Sequence, residues 1–599
     1  MKELLSRVET HDPAGSVAAV YVIDGMPGVG KTAFVIHAAH CLAGRYPGGA
    51  IFVDLLGFTG SAPLSVSQAL EELLAQAGVP RVQVPGEDGP KQALWRRLMR
   101  SRRVLIVLDN ARDAKQVEPL LPQSPQCLVL ITARTKLYEL DADPVSLPVL
   151  TDQEARRLFV AVAGAQHCRD DEALEHIVAG CHRLPLAIRL MAGRVRHGDP
   201  IAEVADDIAA LPEETKIRGV FDLSYNSLDA DLQRAVRLLG VYPGIDITGP
   251  AMASLAGTSQ AGGRRLLRGL AIHNLIERID KPTGHSGEHG SQSRYQPHDL
   301  LRDYARSRAD VGEPAAERQA ALDRLTAHYR AVIHAVEQQH AHPEGSRPRS
   351  VGLVFQDLAH ANAWLITERA NLLACLGTSP AGPADLAKTT ADLLNQLSYF
   401  RDAGHCYQLA LTHHRKTANR QGEAHALGGL AEVDWLRGHY EASRHRYEQA
   451  RAICQEIGDR QGEANALGGL AEVDRLCGRY EASRHRYEQA RAICHELGDR
   501  QGEAYALGGL GEMDRLRGRY EAAHHRFEQY HAICQGIGNR RGEADALCLL
   551  AEVDWVCGRY EASRHRYEQG RAIFQEIGNR HGEAFVMGAG RSRPDVRPV

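Results

Sequence analysis

Residues 25–32 read Gly25-Met26-Pro27-Gly28-Val29-Gly30-Lys31-Thr32, which is a complete G-x-x-x-x-G-K-T phosphate-binding loop. An apolar segment with strand character, residues 18–23, precedes the loop, and residues 33–40 continue as a helix. In this order, strand, glycine turn and helix direct successive backbone N–H groups around a phosphate at the helix N-terminus. The sequence therefore predicts that Gly25, Gly28, Val29 and Gly30 help to bind a nucleoside triphosphate.

Two side chains of the loop and one acid further along would complete the phosphate site. We expect Lys31 to reach the β- and γ-phosphates and the Thr32 hydroxyl to coordinate Mg²⁺. A continuous apolar strand at 103–110 carries Asp109 near its carboxyl end, where P-loop enzymes hold the Mg²⁺ shell. Lys31 and Asp109 are thus catalytic candidates, and Thr32 and Asp109 are metal candidates. Alternatively, Asp109 caps the next helix.

Two further residues bear on ATP hydrolysis. Many P-loop ATPases carry a second acid next to the first, but this chain has Asn110, and an amide cannot accept a proton from water. We therefore expect at most a slow ATPase that acts as a switch. Arg134 follows the apolar segment 127–132, and an arginine at the carboxyl edge of a sheet can reach the γ-phosphate. A surface arginine in a loop is the alternative for this third catalytic candidate.

Length and composition limit the class of protein. The chain has 599 residues, enough for about four domains, with 44% hydrophobic and 24% charged residues. A net charge of −4 gives no argument for a nucleic-acid or membrane partner. No apolar run is long enough to span a membrane, and the twelve cysteines include no C-x-x-C pair. These observations predict a reduced, cytoplasmic protein.

Four motifs occur in an order that is typical of one family. They lie at residues 25–32, 108–113, 131–134 and 183–187. Together they resemble the NB-ARC class of STAND regulatory ATPases, and specifically the bacterial AfsR-like regulators without their DNA-binding domain. The resemblance spans roughly residues 18–310, and it implies ADP and ATP with Mg²⁺ as cofactors.

The resemblance also assigns two nucleotide contacts that the loop alone does not. In the family, the proline of a G-L-P-L motif packs on the adenine, which corresponds here to Pro185, although Arg183 replaces the usual glycine. The segment Pro297-His298-Asp299 is similar to the family's M-H-D motif. His298 would then contact the β-phosphate of ADP. An ordinary surface or core histidine is the alternative.

The last third of the chain repeats with a period of 40 residues. Each copy predicts two helices separated by a glycine, and the small and aromatic positions resemble tetratricopeptide repeats. Stacked copies would form a superhelix with a concave surface. In the second copy, the predicted buried faces are Leu467, Leu470, Val473 and Leu476, then Tyr480, Ser483, Tyr487, Ala490 and Ile493. Cys454, Cys494, Cys534 and Phe574 predict a buried apolar slot.

Otherwise similar copies differ at a few positions of the first helix. The resemblance to tetratricopeptide repeats places these positions on the concave wall, where a protein or peptide partner would bind. Drift at unconstrained surface positions is the alternative. The residues 444–446 and their copies are expected to be a solvated helix face. The partner-binding candidates are His425, Trp435, Asn465, Arg475, Tyr505, Arg515, Asp545 and Trp555.

The expected fold is multidomain: an α/β P-loop NTPase domain, then all-α helical and winged-helix domains, then α-superhelical tetratricopeptide repeats. The boundaries are 1–150 for the nucleotide-binding domain, 151–215 for the helical domain, 216–310 for the winged-helix-like domain, 311–420 for irregular or degenerate helices, 421–585 for the repeats and 586–599 for a disordered tail.

The expected function is an ADP/ATP switch. ADP would hold the domains closed, and a partner on the repeats would favour exchange for ATP, opening and homo-oligomerisation, in regulation of transcription or of a stress or defence response. One alternative is a tetratricopeptide scaffold with a structural or vestigial nucleotide site. Another is direct DNA binding through the winged-helix segment, which the lack of a basic excess disfavours.

Overall fold

The computed structural model describes residues 4–5, 8, 18–58, 63–279, 293–341, 349–350, 353–378 and 384–577. The chain divides into two compact units, residues 1–389 and 390–599, and each is described by itself. The predicted tail at 586–599 and the last part of the final repeat lie outside the described residues.

The first unit begins with a five-stranded, wholly parallel sheet in the order β2-β3-β4-β1-β5. Strand β4 therefore lies between the strand that leads into the loop at 25–32 and the strand that carries Asp109. The strands are β1 (Ala19–Asp24), β2 (Ala50–Asp54), β3 (Leu105–Ala111), β4 (Leu128–Ala133) and β5 (Asp143–Ser146). The helices of this region are α1 (Lys31–Leu42), α2 (Val66–Gln76), α3 (Asp88–Met99) and α4 (Ala114–Val117).

Both faces of this sheet are buried at its centre, which explains the continuous apolar run in β3. Ile106 and Leu108 belong to the core on one face, together with residues of α2 and α3. Leu105 and Val107 belong to the core on the other face, together with residues of α1. Alternate residues of a strand point to opposite faces, so a strand covered on both sides needs apolar residues at every position. The predicted α/β fold is confirmed.

Four helices follow the sheet: α5 (Asp152–Ala163), α6 (Asp171–Gly180), α7 (Pro185–Arg196) and α8 (Ile201–Ala209). Just before α7, Arg183 has a φ of 55°, in the left-handed region that favours glycine. Arg183 thus adopts the backbone conformation expected of the glycine that it replaces. Helix α7 begins at Pro185, where the missing N–H of proline costs no hydrogen bond.

The next segment combines helices with a small antiparallel sheet in the order β6-β8-β7. Its helices are α9 (Lys216–Asn226), α10 (Ala230–Val241), α11 (Gly249–Ala256), α12 (Gln260–Ile272) and α13 (Asp299–Gly312). Its strands are β6 (Ile247–Thr248), β7 (Ile276–Ile279) and β8 (Arg294–Pro297). Beyond it lie α14 (Ala315–Ala341), β9 (Arg349–Ser350), β10 (Leu353–Val354) and α15 (Leu358–Thr378).

Pairs of antiparallel helices build the second unit. The helix α16 (Ala384–Gln396) leads into it, and its partner is α17 (Phe400–Lys416). The remaining pairs are α18 (Arg420–Leu436) with α19 (Tyr440–Ile457), α20 (Arg460–Leu476) with α21 (Tyr480–Leu497), α22 (Arg500–Leu516) with α23 (Tyr520–Gly536), and α24 (Arg540–Val556) with α25 (Tyr560–Glu576). Glycines at positive φ, such as Gly478 at 74° and Gly498 at 70°, end successive helices.

One helix pair precedes the repeats that the sequence shows. Helices α16 and α17 stand in the same 40-residue register as the later pairs, because Tyr407 packs against Gly429 as Tyr447 packs against Gly469. Ser398 and Ala418 have φ values of 63° and 52° at positions where the later copies have glycine. The 40-residue repeat is not recognisable in the sequence of this helix pair, because its turns lack the glycines that mark the later copies.

Two details of the predicted repeat faces are wrong. Leu467, Leu470 and Val473 are at most 1% exposed, as expected, but Leu476 is 41% exposed. It is the last residue of α20, where the helix extends beyond its packing partners. Tyr480, the first residue of α21, is 39% exposed for the same reason. The predicted slot is confirmed, since Cys454, Cys494, Cys534 and Phe574 are all buried.

The segment 444–446 is not a simple solvated face. The Arg446 guanidinium forms an ion pair with Asp434, a buried carboxylate on the preceding helix. Arg486 pairs with the buried Asp474 in the next copy. The same pairing recurs in Arg526–Asp514 and Arg566–Asp554. Each arginine thus joins the second helix of a repeat to the first.

Candidate functional site

The loop at residues 25–32 has the backbone of a phosphate cradle. Gly25 and Gly30 have φ values of 149° and 96°, and a Cβ on Gly25 would lie 2.7 Å from the carbonyl oxygen of Leu147. Only glycine fits there. Val29 is 4% exposed, and its N–H donates to the Met26 carbonyl at 3.3 Å. Val29 therefore anchors the loop through its side chain.

Gly28 is the point where three segments meet. A Cβ on Gly28, whose φ is 81°, would lie 3.2 Å from Leu300 and 3.4 Å from both Leu184 and Leu186. Leu184 and Leu186 flank Pro185 at the start of α7, and Leu300 follows His298 at the start of α13. The structure thus brings the predicted adenine and β-phosphate contacts to the predicted loop.

The Lys31 ammonium points into the loop. Its Nζ donates to the carbonyl oxygens of Gly25 at 2.8 Å and Met26 at 3.0 Å. Burial lowers the pKa of Lys31, and the nearby positive charge of Arg134 lowers it further. A half-buried cation at the centre of a glycine loop favours a bound anion, because a phosphate would supply the compensating negative charge.

Asp109 lies beside the loop threonine. The Thr32 hydroxyl donates to the Asp109 carboxylate, with both oxygens at 3.0 Å, and the Thr132 hydroxyl donates to it at 2.5 Å. Burial raises the pKa of Asp109, and these two hydrogen bonds oppose the rise. The capping alternative does not hold, because Asp113 caps α4 by accepting from the Gln116 N–H.

A second carboxylate, which sequence reasoning missed, stands next to Asp109. Asp54 ends β2 directly opposite Asp109 in the strand register. Burial and the Asp109 charge raise the pKa of Asp54 to about 7, although hydrogen bonds from the Leu56 N–H and the Asn110 side chain oppose the rise. The signal was available, because Asp54 ends an apolar strand just as Asp109 does. Two carboxylates and a hydroxyl are oxygen donors that suit Mg²⁺.

Arg134 is not an isolated surface residue. Its guanidinium carbon lies 4.5 Å from the centre of the Phe58 ring, and Nη2 donates to the Phe58 carbonyl at 3.4 Å. The same Nη2 lies 3.5 Å from a carboxylate oxygen of Asp299. Arg134 therefore connects the carboxyl edge of the sheet to the first turn of α13. The sequence assigned no role to Asp299, although it lies in the M-H-D-like segment, and none to Asp54.

His298 caps α13 from within the same cleft. Its Nδ1 accepts a hydrogen bond from the Leu300 N–H at 3.3 Å, so in the neutral ring the proton lies on Nε2. The ring has an exposed edge, but the protein atoms around it remove hydration and lower the pKa of His298, while the Asp299 carboxylate opposes this. Lys31 and Arg134 lower the pKa further, which places His298 within electrostatic reach of the loop.

The predicted partner-binding residues lie in the second unit, on the first helices of the repeats. His425, Asn465 and Tyr505 are exposed, whereas Asp545 is half-buried. The Tyr505 ring stands over Gly468 of the preceding copy, at 6.2 Å from the Tyr487 ring. The other four candidates are half-buried, and each is the last residue but one of its helix: Trp435, Arg475, Arg515 and Trp555.

A glutamate that does not vary between the copies lies near these residues, and sequence reasoning missed it. Each of the four complete copies carries glutamate three residues before the variable tryptophan or arginine position. In the second copy Arg475 is paired with Glu472, and the Tyr487 hydroxyl donates to the same carboxylate at 2.7 Å. The glutamate is the same in all four complete copies, so the positions that differ between copies do not include it. The four acids are Glu432, Glu472, Glu512 and Glu552.

The chain is similar to known proteins in its repeats and over most of its length. A tetratricopeptide-repeat family model matches residues 462–536. The regulatory protein AfsR of Streptomyces coelicolor is 33% identical over 454 residues, which cover 72% of this chain and 44% of that protein. AfsR of Streptomyces griseus is 34% identical over 414 residues, which cover 65% of this chain and 41% of that protein.

A solved structure shows the same fold along nearly the whole chain. A STAND protein with a tetratricopeptide-repeat sensor from Pyrococcus horikoshii matches with a TM-score of 0.52 and 16% identity, over 98% of this chain and 85% of that one. The chain belongs to the AfsR-like STAND proteins with tetratricopeptide repeats. It spans less than half the length of the two AfsR proteins.

Positive and negative side chains lie in separate parts of the candidate site of this AfsR-like chain. Lys31 and Arg134 supply positive charge at the mouth of the loop, and Asp54 and Asp109 supply carboxylates at the adjoining strand ends. Within the described ranges, no three or more histidine, cysteine or acidic residues cluster in a way that could hold a metal ion. None of the described helices has the length and apolarity needed to cross a membrane.

We expect Asp54→Asn to stabilise this AfsR-like chain increasingly as the pH rises from about 4 to about 7. The pKa of Asp54 is about 7 in the folded state and near 3.8 when unfolded, so between these values folding takes up a proton and stability falls as pH rises. The advantage of the variant should grow by on the order of 2–3 kcal/mol from pH 5 to pH 8. Hydrogen exchange of the β2 and β3 amides measures it.

A matched control is Asp113→Asn. The hydrogen bond from Arg112 lowers the pKa of Asp113, so this carboxylate is ionised throughout that range and its loss should add no pH dependence. Equal pH dependence in the two variants would contradict the assignment for Asp54.

Proposed function

We propose that this AfsR-like STAND protein is a nucleotide-dependent signalling switch that binds ADP or Mg²⁺-ATP at residues 25–32 and a protein or peptide partner on its repeats. The contact between Arg134 and Asp299 carries the proposal. It joins the edge of the nucleotide-binding sheet to the helix that follows His298. A ligand that changes this contact would change the position of α13.

The γ-phosphate supplies the required difference between the two nucleotides. ATP would offer Arg134 a phosphate anion in competition with the Asp299 carboxylate, whereas ADP would leave the Arg134–Asp299 pair intact. ATP would therefore favour release of α13 and the open form, and ADP the closed form. A nucleotide shifts such an equilibrium only through contacts that differ between the two forms.

The remaining residues of the cleft have roles in the same scheme. Lys31 would bind the phosphates, Thr32 and Asp109 would coordinate Mg²⁺ with Asp54 beside them, and Pro185 would pack on the adenine. Because Asn110 is hydrogen-bonded to Asp54 and cannot accept a proton from water, turnover should stay well below about 1 s⁻¹. Hydrolysis at tens per second without a partner would contradict this role for Asn110.

The nucleotide that co-purifies with the full chain tests the proposal, and we expect ADP. His298→Ala should raise the ADP off-rate about ten-fold, since coupling between sites is commonly about 1–2 kcal/mol. The control is His176→Ala, an exposed histidine on α6. If the ADP off-rate and the elution volume in ATP both match wild type, the closed form does not depend on His298.

The repeats bear on the partner of this protein, and the free thiols bear on the compartment in which it works. A partner on the first helices would favour ATP exchange and homo-oligomerisation, as part of transcriptional or stress regulation. All twelve cysteines are free thiols, which suits the reducing cytoplasm. A scaffold with a structural nucleotide site would instead retain ADP at the same rate with and without ATP.

A further inference from the structure

Two glutamates on the first helices of the repeats hold an arginine of their own repeat. In the third copy, Arg515 Nε and Nη2 donate to the two oxygens of Glu512 at 2.7 and 2.6 Å. Arg475 makes the same forked pair with Glu472 in the second copy, with Nε at 3.0 Å. This position of the repeat therefore binds a guanidinium group in bidentate geometry.

The first copy keeps the glutamate but not the arginine. Trp435 stands at the arginine position, and among the described residues no lysine, arginine or histidine nitrogen lies within 4.0 Å of the Glu432 carboxylate. The Trp435 Nε1 atom is buried and has no hydrogen-bond partner in the described part of the chain. The fourth copy also has tryptophan, but Arg515 reaches within 3.9 Å of Glu552.

The helix that precedes the first copy adds polar groups next to Glu432. Asn395 and Asp392 on α16 stand forty residues before Trp435 and Glu432. Loss of hydration and the Asp392 charge raise the pKa of Glu432, and a hydrogen bond from Asn395 opposes this. The Oδ1 atom of Asn395 is buried without a hydrogen-bond partner in the described structure. The Asp392 carboxylate accepts a hydrogen bond from the Tyr407 hydroxyl. Glu432, which has no cation partner among the described residues, thus lies beside a second acidic charge and an amide.

We propose that Glu432 binds the guanidinium of an arginine side chain that the partner supplies, with the group packed against Trp435. The Glu472–Arg475 and Glu512–Arg515 pairs give the geometry, and an aromatic face beside a carboxylate also favours a cation. The inference rests on the proposed function, in which the repeats bind a protein or peptide. It adds the identity of one side chain of that partner and the repeat that holds it.

Tryptophan fluorine NMR on the full chain tests the proposal. The chain has four tryptophans, so labelling with 5-fluorotryptophan gives four signals, and Trp435→Phe assigns the one in question. The probe is the peptide acetyl-Gly-Gly-Arg-Gly-Gly-amide. The Trp435 signal should shift to saturation, whereas the Trp555 signal should not move because Arg515 lies beside Glu552.

Peptides with a changed central residue test the chemistry. Citrulline has nearly the shape of arginine without its charge and should bind at least about ten-fold more weakly. Lysine carries the charge without the two parallel N–H donors of a guanidinium group, and it should bind at least about three-fold more weakly. Equal binding of the citrulline peptide would overturn the proposal, and equal binding of the lysine peptide would overturn the choice of guanidinium.

Three variants test the place. Glu432→Gln should weaken binding at least about ten-fold, with the other three tryptophan signals unmoved as evidence of folding. Glu512→Gln should leave binding unchanged, because Arg515 already occupies that carboxylate. Trp435→Arg should supply an internal guanidinium and abolish peptide binding. Because this variant lacks the reporting tryptophan, saturation-transfer NMR of the peptide measures its binding.

Wild-type binding by Glu432→Gln would refute the assignment. Because no residue in this test belongs to the nucleotide cleft, that result together with normal ADP binding would leave the switch itself unaffected.

Discussion

Lys31→Ala is expected to weaken the binding of ADP and Mg²⁺-ATP at least about 100-fold, or about 2.7 kcal/mol. The Lys31 ammonium lies within the glycine loop, where its Nζ contacts the carbonyl oxygens of Gly25 and Met26. Phosphates in that loop would lose the positive charge at its centre. The backbone N–H groups alone compensate the negative charge of the phosphates poorly. Calorimetry with each nucleotide and chromatography of the nucleotide released on denaturation measure the effect.

The control for this prediction is Lys115→Ala, which removes an exposed lysine of α4 in the same unit. Hydrogen exchange in the repeats should match wild type for both variants, since neither changes the second unit. If Lys31→Ala purifies with the wild-type amount of nucleotide, residues 25–32 do not bind it.

Asp474→Ala is expected to destabilise its repeat by about 3–4 kcal/mol, because it removes a buried carboxylate and leaves the largely covered Arg486 guanidinium without its partner. The Asp474 side chain is 1% exposed and pairs with Arg486, which is 16% exposed, and with Arg479 at 2.9 Å. Hydrogen exchange of the α20 and α21 amides should accelerate by about 10²- to 10³-fold. A local measurement is needed because arrays of repeats do not unfold in two states.

The control removes a comparable ion pair from the surface. Glu481 is 78% exposed and lies 2.6 Å from Arg517, so Glu481→Ala should cost less than about 1 kcal/mol. Similar exchange rates in the Asp474→Ala and Glu481→Ala variants would show that the buried aspartates do not hold the helix pairs together.

The parts of the cleft that follow from sequence are those contained in one continuous segment. The phosphate loop is local, because consecutive N–H groups surround one phosphate, so residues 25–32 predict it completely. Asp54 and Asp299 belong to the same cleft through pairing of β2 with β3 and through the placement of α13. Neither contact has a local pattern, and both therefore needed the structure.

The repeats show where periodicity is an incomplete guide. The 40-residue pattern predicts the helix pairs, but it assigns Leu476 to the core because periodicity alone does not show where a packing partner ends. It also leaves out α16 and α17, whose turns use Ser398 and Ala418 in place of glycine. The repeat pattern predicts that Arg446 is solvated. Its side chain is nevertheless long enough to reach Asp434 on the neighbouring helix.

Three successive junctions of the array are chemically equivalent, so the copies that they join are interchangeable modules. Tyr407 packs on Gly429, Tyr447 on Gly469 and Tyr487 on Gly509, each tyrosine filling the space left by a glycine of the next copy. A duplication or deletion of forty residues in this stretch would join surfaces that already fit each other. Unequal recombination between the near-identical copies could thus lengthen or shorten the binding surface in single steps, without a new interface having to evolve.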